Sequence, residues 1–252
     1  MSIIVIESVG FCATHTISDM LKMDGKNSVS HGTQNFKSGA EIGPESLPFT
    51  QFYAQMLEQS SNYDNCISVH SNFCPNQTSQ IIAGSDTKFF GLMRKSQRKQ
   101  ILSCFYWIVN AFLNGREEFT QAFLESANIG DHELLDACGL PINMNTCFML
   151  LAFSKVVNFN ISLLQNTHKI FFMEDVIANP TSFANSIGAT DNSKKKLKVN
   201  QGLSHKSRVA EYDFLSNAEE ILEILLNKLT VQVGQNSFNI NNVEQMFFEK
   251  SK

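Results

Sequence analysis

The chain begins with a short apolar run, Ile3-Ile4-Val5-Ile6, then turns polar and small through Glu7-Ser8-Val9-Gly10-Phe11-Cys12-Ala13. Consecutive β-branched residues bounded by polar ones read as a buried strand. Thr14-His15-Thr16-Ile17-Ser18-Asp19-Met20-Leu21 then carries apolar residues at 17, 20 and 21, a helical spacing. Strand, tight loop and helix start point backbone N–H groups and the positive end of a helix dipole at one spot, where an anion can sit. Thr14 and Thr16 add hydroxyl donors there. A common nucleotide triphosphatase loop needs Gly-Lys before its hydroxyl residue, and Ala13-Thr14-His15 stands in that place. No G-x-G-x-x-G occurs either, and no Mg²⁺ is implied. An ordinary strand running into a capped helix has the same outline, so the rest of the chain must decide between them.

The chain continues in alternation. Strands are expected at Val29–Thr33, Cys66–His70, Lys88–Met93 and Lys169–Met173. Helices are expected at Phe49–Gln59, Gln77–Ala83, Gln97–Leu113, Glu117–Ser126, Asn145–Gln165, Pro180–Ile187 and Ala218–Leu229, with an apolar patch at Val243–Phe248. Residues 34–48 read as an irregular loop, and Lys194–Lys198 is a basic run. Strands alternating with helices predict an α/β protein: a three-layer open parallel sheet with helices on both faces. In such sheets ligands sit at the carboxyl ends of the strands. There the pattern places the loop Gly10–Thr16, His31, His70, Arg94 and Glu174-Asp175.

A single domain over 1–252 is expected, with a helical insertion near 115–165 and a C-terminal helical tail near 216–252. With 43% hydrophobic and 17% charged residues, the chain can build a sizeable core. A net charge of −4 gives no reason to expect nucleic acid. The longest near-apolar stretch, Cys104–Leu113, is too short to span a bilayer. Met1-Ser2 leads straight into the first strand without a basic stretch, so no signal peptide and a cytoplasmic location are expected. Cys12, Cys66, Cys74, Cys104, Cys138 and Cys147 form no C-x-x-C pair, which favours free buried thiols over a zinc site. The apolar residues near the C-terminus can pack on the same chain or on a second copy, as a homo-oligomer.

Four segments, in order, resemble the sulfotransferase family. Cys12-Ala13-Thr14-His15-Thr16-Ile17 is similar to its 5′-phosphosulfate loop, and Ile67-Ser68-Val69-His70 to the strand delivering its catalytic histidine. Met93-Arg94 through Leu102-Ser103 resembles its 3′-phosphate motif, one residue longer than in the common cytosolic enzymes, a spacing that suits some bacterial carbohydrate sulfotransferases. Phe172-Met173-Glu174-Asp175-Val176, with Pro180 and Phe183, is similar to its Tyr-Glu-Asp-Leu segment.

The resemblance implies a P-loop-like sulfotransferase fold and an enzyme moving a sulfuryl group from 3′-phosphoadenosine 5′-phosphosulfate (PAPS) to a hydroxyl or amine of a carbohydrate or small-molecule acceptor. No metal cofactor is implied. Gly10, Phe11, Cys12, Ala13, Thr14, His15 and Thr16 would hold the 5′-phosphate, and Arg94 and Ser103 the 3′-phosphate. His70 would be the general base, since a neutral imidazole is available near pH 7. His31 would meet the acceptor. Phe11 stands where the family loop carries a Lys or Arg; the candidates to replace that charge are His15, the closest in sequence, and the more distant Lys22. The family's C-terminal basic run has no clear copy; Lys194–Lys198 and Asn200–Arg208 are the equivalents on offer. The second reading is therefore a nucleotide- or anion-binding protein on the same fold that has lost turnover. A nucleotide kinase is disfavoured by the missing Gly-Lys-Ser/Thr.

Overall fold

A computed structural model of the chain describes residues 2–22, 26–31, 48–70, 73–115, 129–189 and 215–252, with 206, 209 and 212. Residues 34–47 of the loop expected at 34–48, the helix at Glu117–Ser126, the run Lys194–Lys198 and the segment Asn200–Arg208, apart from Lys206, lie outside the described residues. The chain divides into two compact units: residues 1–95, 159–200 and 247–252 in the first, and 96–158 and 201–246 in the second.

The first unit is an α/β layer structure. Its strands are β1 (Ser2–Glu7), β2 (Asn27–His31), β3 (Asn65–Val69), β4 (Lys88–Met93) and β5 (Lys169–Phe172). They form one sheet in the order β2-β3-β1-β4-β5, every pair parallel. Between them run α1 (Thr14–Lys22), α2 (Phe49–Ser60) and α3 (Pro75–Ile82). β1 is the middle strand, with Val5 opposite Ser68 of β3 and Phe89 of β4. A strand in that position is covered on both faces, which is why it reads as an unbroken apolar run.

The pleat sorts the core into two layers. Ile4, Ile6, Ile67, Val69, Phe90 and Leu92 pack with Ile17, Met20 and Leu21 of α1. Val5, Cys66 and Phe89 point the other way, onto Phe49, Phe52 and Met56 of α2. At the amino ends of the strands Asn65 donates to the Asn27 side chain at 2.8 Å and accepts from Ser2 Oγ at 2.6 Å. That chain of bonds pins β2, β3 and β1 in one register, which a run of similar aliphatic residues specifies poorly by itself.

Further along the chain come α4 (Gln97–Leu113), α5 (Ile129–Ala137), α6 (Met144–Asn166), α7 (Met173–Ala178) and α8 (Pro180–Ile187). The last are α9 (Ala218–Lys228), the hairpin β6 (Thr230–Val233) and β7 (Asn236–Asn239), and α10 (Ile240–Lys250). In the second unit α4 buries Ile101, Cys104, Phe105, Ile108 and Val109, and α9 buries Ile221, Leu222 and Leu225. Ser96 caps α4, its hydroxyl accepting from the Lys99 N–H. Glu244 accepts from the Gln97 N–H at 2.8 Å, placing a carboxylate at the positive end of that helix.

Four expectations are corrected. β5 ends at Phe172 rather than Met173, because Met173 opens α7 with Glu174 and Asp175 in its first turn. His70 lies just beyond β3, in the left-handed region (φ 57°). The C-terminal segment is not all helix: β6 and β7 pair antiparallel around Gly234 (φ 64°), a turn that suits a two-residue hairpin loop. All six cysteines are free, but Cys74 is exposed and Cys147 half-buried, so only four are buried thiols. By length and composition α6 is apolar enough to cross a membrane, and more than half of that apolar window is buried in the fold, as a core helix also is.

Gly91 lies where β4 meets β5. A Cβ there would approach Ile170 Cγ1 at 3.2 Å and Leu163 Cβ at 3.3 Å. Gly91→Val is expected to cost about 1–3 kcal/mol through overpacking, read as a lower urea midpoint. An unchanged midpoint would show that the α6 end yields freely there.

Candidate functional site

The carboxyl ends of the strands gather most of the residues that the sequence pattern singled out. Gly10 through Ala13 join β1 to α1, His31 ends β2, His70 follows β3 and Arg94 follows β4. The chain jumps across β1 between β3 and β4, so crevices open on either side of the β1 end, where α/β sheets bind ligands.

The loop has an unusual backbone. Phe11 (φ 61°) and Ala13 (φ 55°) are left-handed without being glycine, and Gly10 precedes them at 91°. His70 is the third such non-glycine residue, so among the described residues every one lies at this edge. Each costs about 1–2 kcal/mol relative to a right-handed residue, and strain of this kind collects at functional sites. Cys12 and Thr14 do not share that hand. Left-handed residues placed next to right-handed ones are the elements from which backbone N–H concavities are built. The first helical bond, Ile17 N–H to Ala13 O, is 3.1 Å. By position, the N–H groups of Thr14, His15 and Thr16 precede it and have no intrahelical acceptor.

Side chains hold this backbone in place. Ser8 Oγ accepts the Gly10 N–H at 3.0 Å and lies 2.7 Å from Cys12 Sγ, whose thiol reaches Leu92 O at 3.7 Å. Arg94 Nε donates to the Phe11 carbonyl at 2.5 Å. Burial pushes the Cys12 thiol up to about 12, opposed by the Ser8 bond and the Arg94 charge. Cys12 is thus a neutral structural group and no nucleophile at neutral pH.

His70 is held from two directions. Its N–H donates to Ile6 O at 2.8 Å, and Nδ1 lies 2.7 Å from Ser8 O. A carbonyl only accepts, so Nδ1 carries the hydrogen and Nε2 the lone pair. A Cβ built on Gly10 would fall 3.3 Å from His70 Cε1 and 3.5 Å from Nε2, so the ring edge with the basic nitrogen sits beside the head of the loop. A neutral imidazole held this way can accept a proton through Nε2.

His31 is buried, at 8% exposure, with Nε2 2.9 Å from Thr14 Oγ1. The Thr14 hydroxyl therefore faces His31 instead of serving only as a ligand donor. His15, exposed in the first turn of α1, stacks on His31 with ring centroids 3.7 Å apart, and His70 lies 5.6 Å from His31. Rings stacked face to face direct their lone pairs in parallel, not at one point. Among the described residues no group of His, Cys, Asp or Glu is arranged to hold a metal ion. Burial lowers His31 to about 3, with the charges of His15, His70 and Lys22 acting in the same direction.

Glu174 and Asp175 brace Lys95. Glu174 accepts the Lys95 N–H at 3.0 Å, and Asp175 pairs with Lys95 Nζ at 2.6 Å. Both carboxylates are thus engaged in holding Lys95. Ser103 lies six residues into α4, half-buried, in the second unit. The sequence pattern missed the Ser8–Cys12 pair. Small polar residues four apart across a tight loop are the signal for it.

The sequence matches no family model, and no curated protein or solved structure is similar to it at a significant level.

Two outcomes follow. Ala13→Gly relieves a left-handed Cβ and is expected to stabilise the fold by up to about 1 kcal/mol, whereas an unchanged or lower denaturation midpoint would mean that the loop carries no strain at Ala13. His31 binds its proton far more readily unfolded than folded. Stability should therefore fall as pH drops through about 6.5, and keep falling toward pH 3. Between pH 7.5 and 5 the wild type should lose roughly 1–2 kcal/mol more than His31→Gln; parallel acid profiles from urea denaturation would contradict this.

Proposed function

We propose that the protein is a sulfotransferase on a P-loop-like sheet, moving a sulfuryl group from PAPS to a hydroxyl or amine of a carbohydrate or small-molecule acceptor. The observation that carries this reading is the meeting of three parts at the β1 end. They are a loop of alternating hand leading into α1, the His70 Nε2 beside Gly10, and Arg94 bonded to that loop. They fall in the order in which the resembling motifs occur along the chain. The strand order β2-β3-β1-β4-β5 puts the loop strand in the middle, as a phosphate-loop fold requires.

The chemistry fits these residues. N–H groups of Cys12 through Thr16 receive the 5′-phosphosulfate, with the helix dipole behind them. Arg94 has five N–H donors in a planar fork. Its Nε serves Phe11, so a phosphate is met through the Nη edge. His70 Nε2 takes the acceptor proton as the acceptor oxygen bonds to sulfur. The bond from sulfur to the bridging phosphate oxygen breaks, and its electron pair stays on that oxygen. The products are the sulfated acceptor and 3′-phosphoadenosine 5′-phosphate (PAP). As in phosphoryl transfer, such a reaction relies on positioning and charge stabilisation.

Phe11 favours a second reading, a PAP- or anion-binding protein without turnover, because an aromatic ring replaces the expected loop cation. Calorimetric titration separates the readings from the alternatives. Micromolar PAP binding, with 5′-AMP and ATP much weaker, is expected for both, and ³⁵S transfer to an acceptor for the first alone. Arg94→Ala should weaken PAP binding about tenfold or more, the loss of one charge-assisted contact. His70→Ala should cut turnover about 10²-fold or more with PAP affinity nearly intact. A preference for ATP would overturn the assignment, and full turnover in His70→Ala would remove the base.

A further inference from the structure

At the amino ends of the strands, the edge opposite the loop, the first unit holds a cavity of about 300 Å³. A small-molecule pocket begins at about this size. Its walls are the start of β1, one face of α2 and the turn between α3 and β4. Tyr53, Leu57 and Ser60 follow one another at spacings of four and three along α2, so they share a helical face. Ser2 and Ile3 come from β1, and Ser85, Asp86 and Thr87 from the turn. The residues gathered at the carboxyl ends of the strands take no part in it.

The hydroxyl hydrogens on these walls are already spent. Ser2 Oγ donates to Asn65 Oδ1 at 2.6 Å, and Ser60 Oγ to Leu57 O at 2.7 Å. Ser85 Oγ donates to Ile82 O at 2.6 Å. Having no second hydrogen, it accepts from Tyr53 Oη at 3.1 Å and from the Thr87 N–H at 3.3 Å. Tyr53 has then given its own hydrogen, so in its 2.6 Å contact with Thr87 Oγ1 the donor is Thr87. Ser2, Tyr53, Ser60 and Thr87 are left with lone pairs and no hydrogen to offer. Asp86 is exposed, and its carboxylate, which only accepts, has no ion-pair partner among the described residues. Ile3 and Leu57 supply the apolar part, with Leu57 50% exposed.

Side chains that only accept leave a carboxylate or a carbonyl of the ligand without a donor, which costs the desolvation of that group. An ammonium is the complement: three N–H donors, no acceptor, and a charge opposite to that of Asp86. We propose that this cavity is a binding site for a small primary amine with an apolar body. The ammonium bonds to the hydroxyl oxygens and Asp86, and the body lies on Ile3 and Leu57. Binding is non-covalent, and the inference does not rest on the proposed function.

The test is calorimetric titration of the full chain near neutral pH with 2-phenylethylamine, and with 2-phenylethanol and phenylacetate, which keep the aromatic body and change the head. Saturable binding of the amine with a Kd of about 1 mM or tighter is expected. 2-Phenylethanol, with one donor and no charge, should bind about tenfold more weakly or worse, and phenylacetate should not bind. Asp86→Asn should weaken the amine about two- to fivefold, the worth of an exposed ion pair. Leu57→Lys, which sets a cation where the apolar body lies, should abolish binding. Both side chains are exposed, so neither change removes a core contact. No saturable binding of the amine, equal binding of 2-phenylethanol or phenylacetate, or an affinity unchanged in either variant would each overturn the proposal.

Discussion

The bond from Arg94 Nε to the Phe11 carbonyl fixes what the carboxyl edge of the sheet can become. β1 is enclosed between β3 and β4, so the chain leaving it must turn at once, with little water to satisfy its peptide groups. Arg94 takes the Phe11 carbonyl, Ser8 takes the Gly10 N–H, and the Cys12 thiol reaches the Leu92 carbonyl. Two of these three ties run to the end of β4. The loop conformation and the β1–β4 pairing therefore stand or fall together, and α1 starts where the loop delivers it.

A loop of this shape is commonly built on glycine, which adopts the left-handed region at no steric cost. Here Phe11 and Ala13 adopt it, and the neighbouring side chains keep them there. Left-handed turns held by side chains in place of glycine leave no signal that a glycine-based motif could read. The burial that neutralises Cys12 and His31 follows from the same tight turn: the thiol lies under the loop and the imidazole behind the start of α1. Positive charge at the mouth is left to groups nearer solvent.

Much of the architecture was legible in the sequence. β4, α4 and α8 fall on the expected residues, because each is bounded by a sharp signal: Arg94 after the apolar run, Ser96 as cap, Pro180 in the first turn. The rule that parallel sheets present their carboxyl ends gathered His31, His70, Arg94 and the loop on one edge. What stayed hidden was pairwise geometry. Nothing in Ser30-His31-Gly32 shows that His31 lies against His15, or that Thr14 spends its hydroxyl on that ring. His70 read as the last residue of a strand, whereas its left-handed turn is a tertiary effect, imposed by bonds to Ile6 and Ser8. The hairpin after α9 was masked by the Asn-rich composition around it, although Val231 and Val233 alternate up to Gly234 as a strand should.

The double anchoring of His70 has a consequence for how the site meets a ligand. Main chain and ring are fastened to the same strand–loop segment, the N–H to Ile6 and Nδ1 to Ser8. The imidazole has thus given up its rotamer freedom during folding. A side chain ordered only on binding charges the complex about 0.5–1.5 kcal/mol; His70 adds nothing of that kind. A ligand recognised at this edge would meet a rigid template, and its rate of encounter would depend on delivery, not on a rearrangement of the ring.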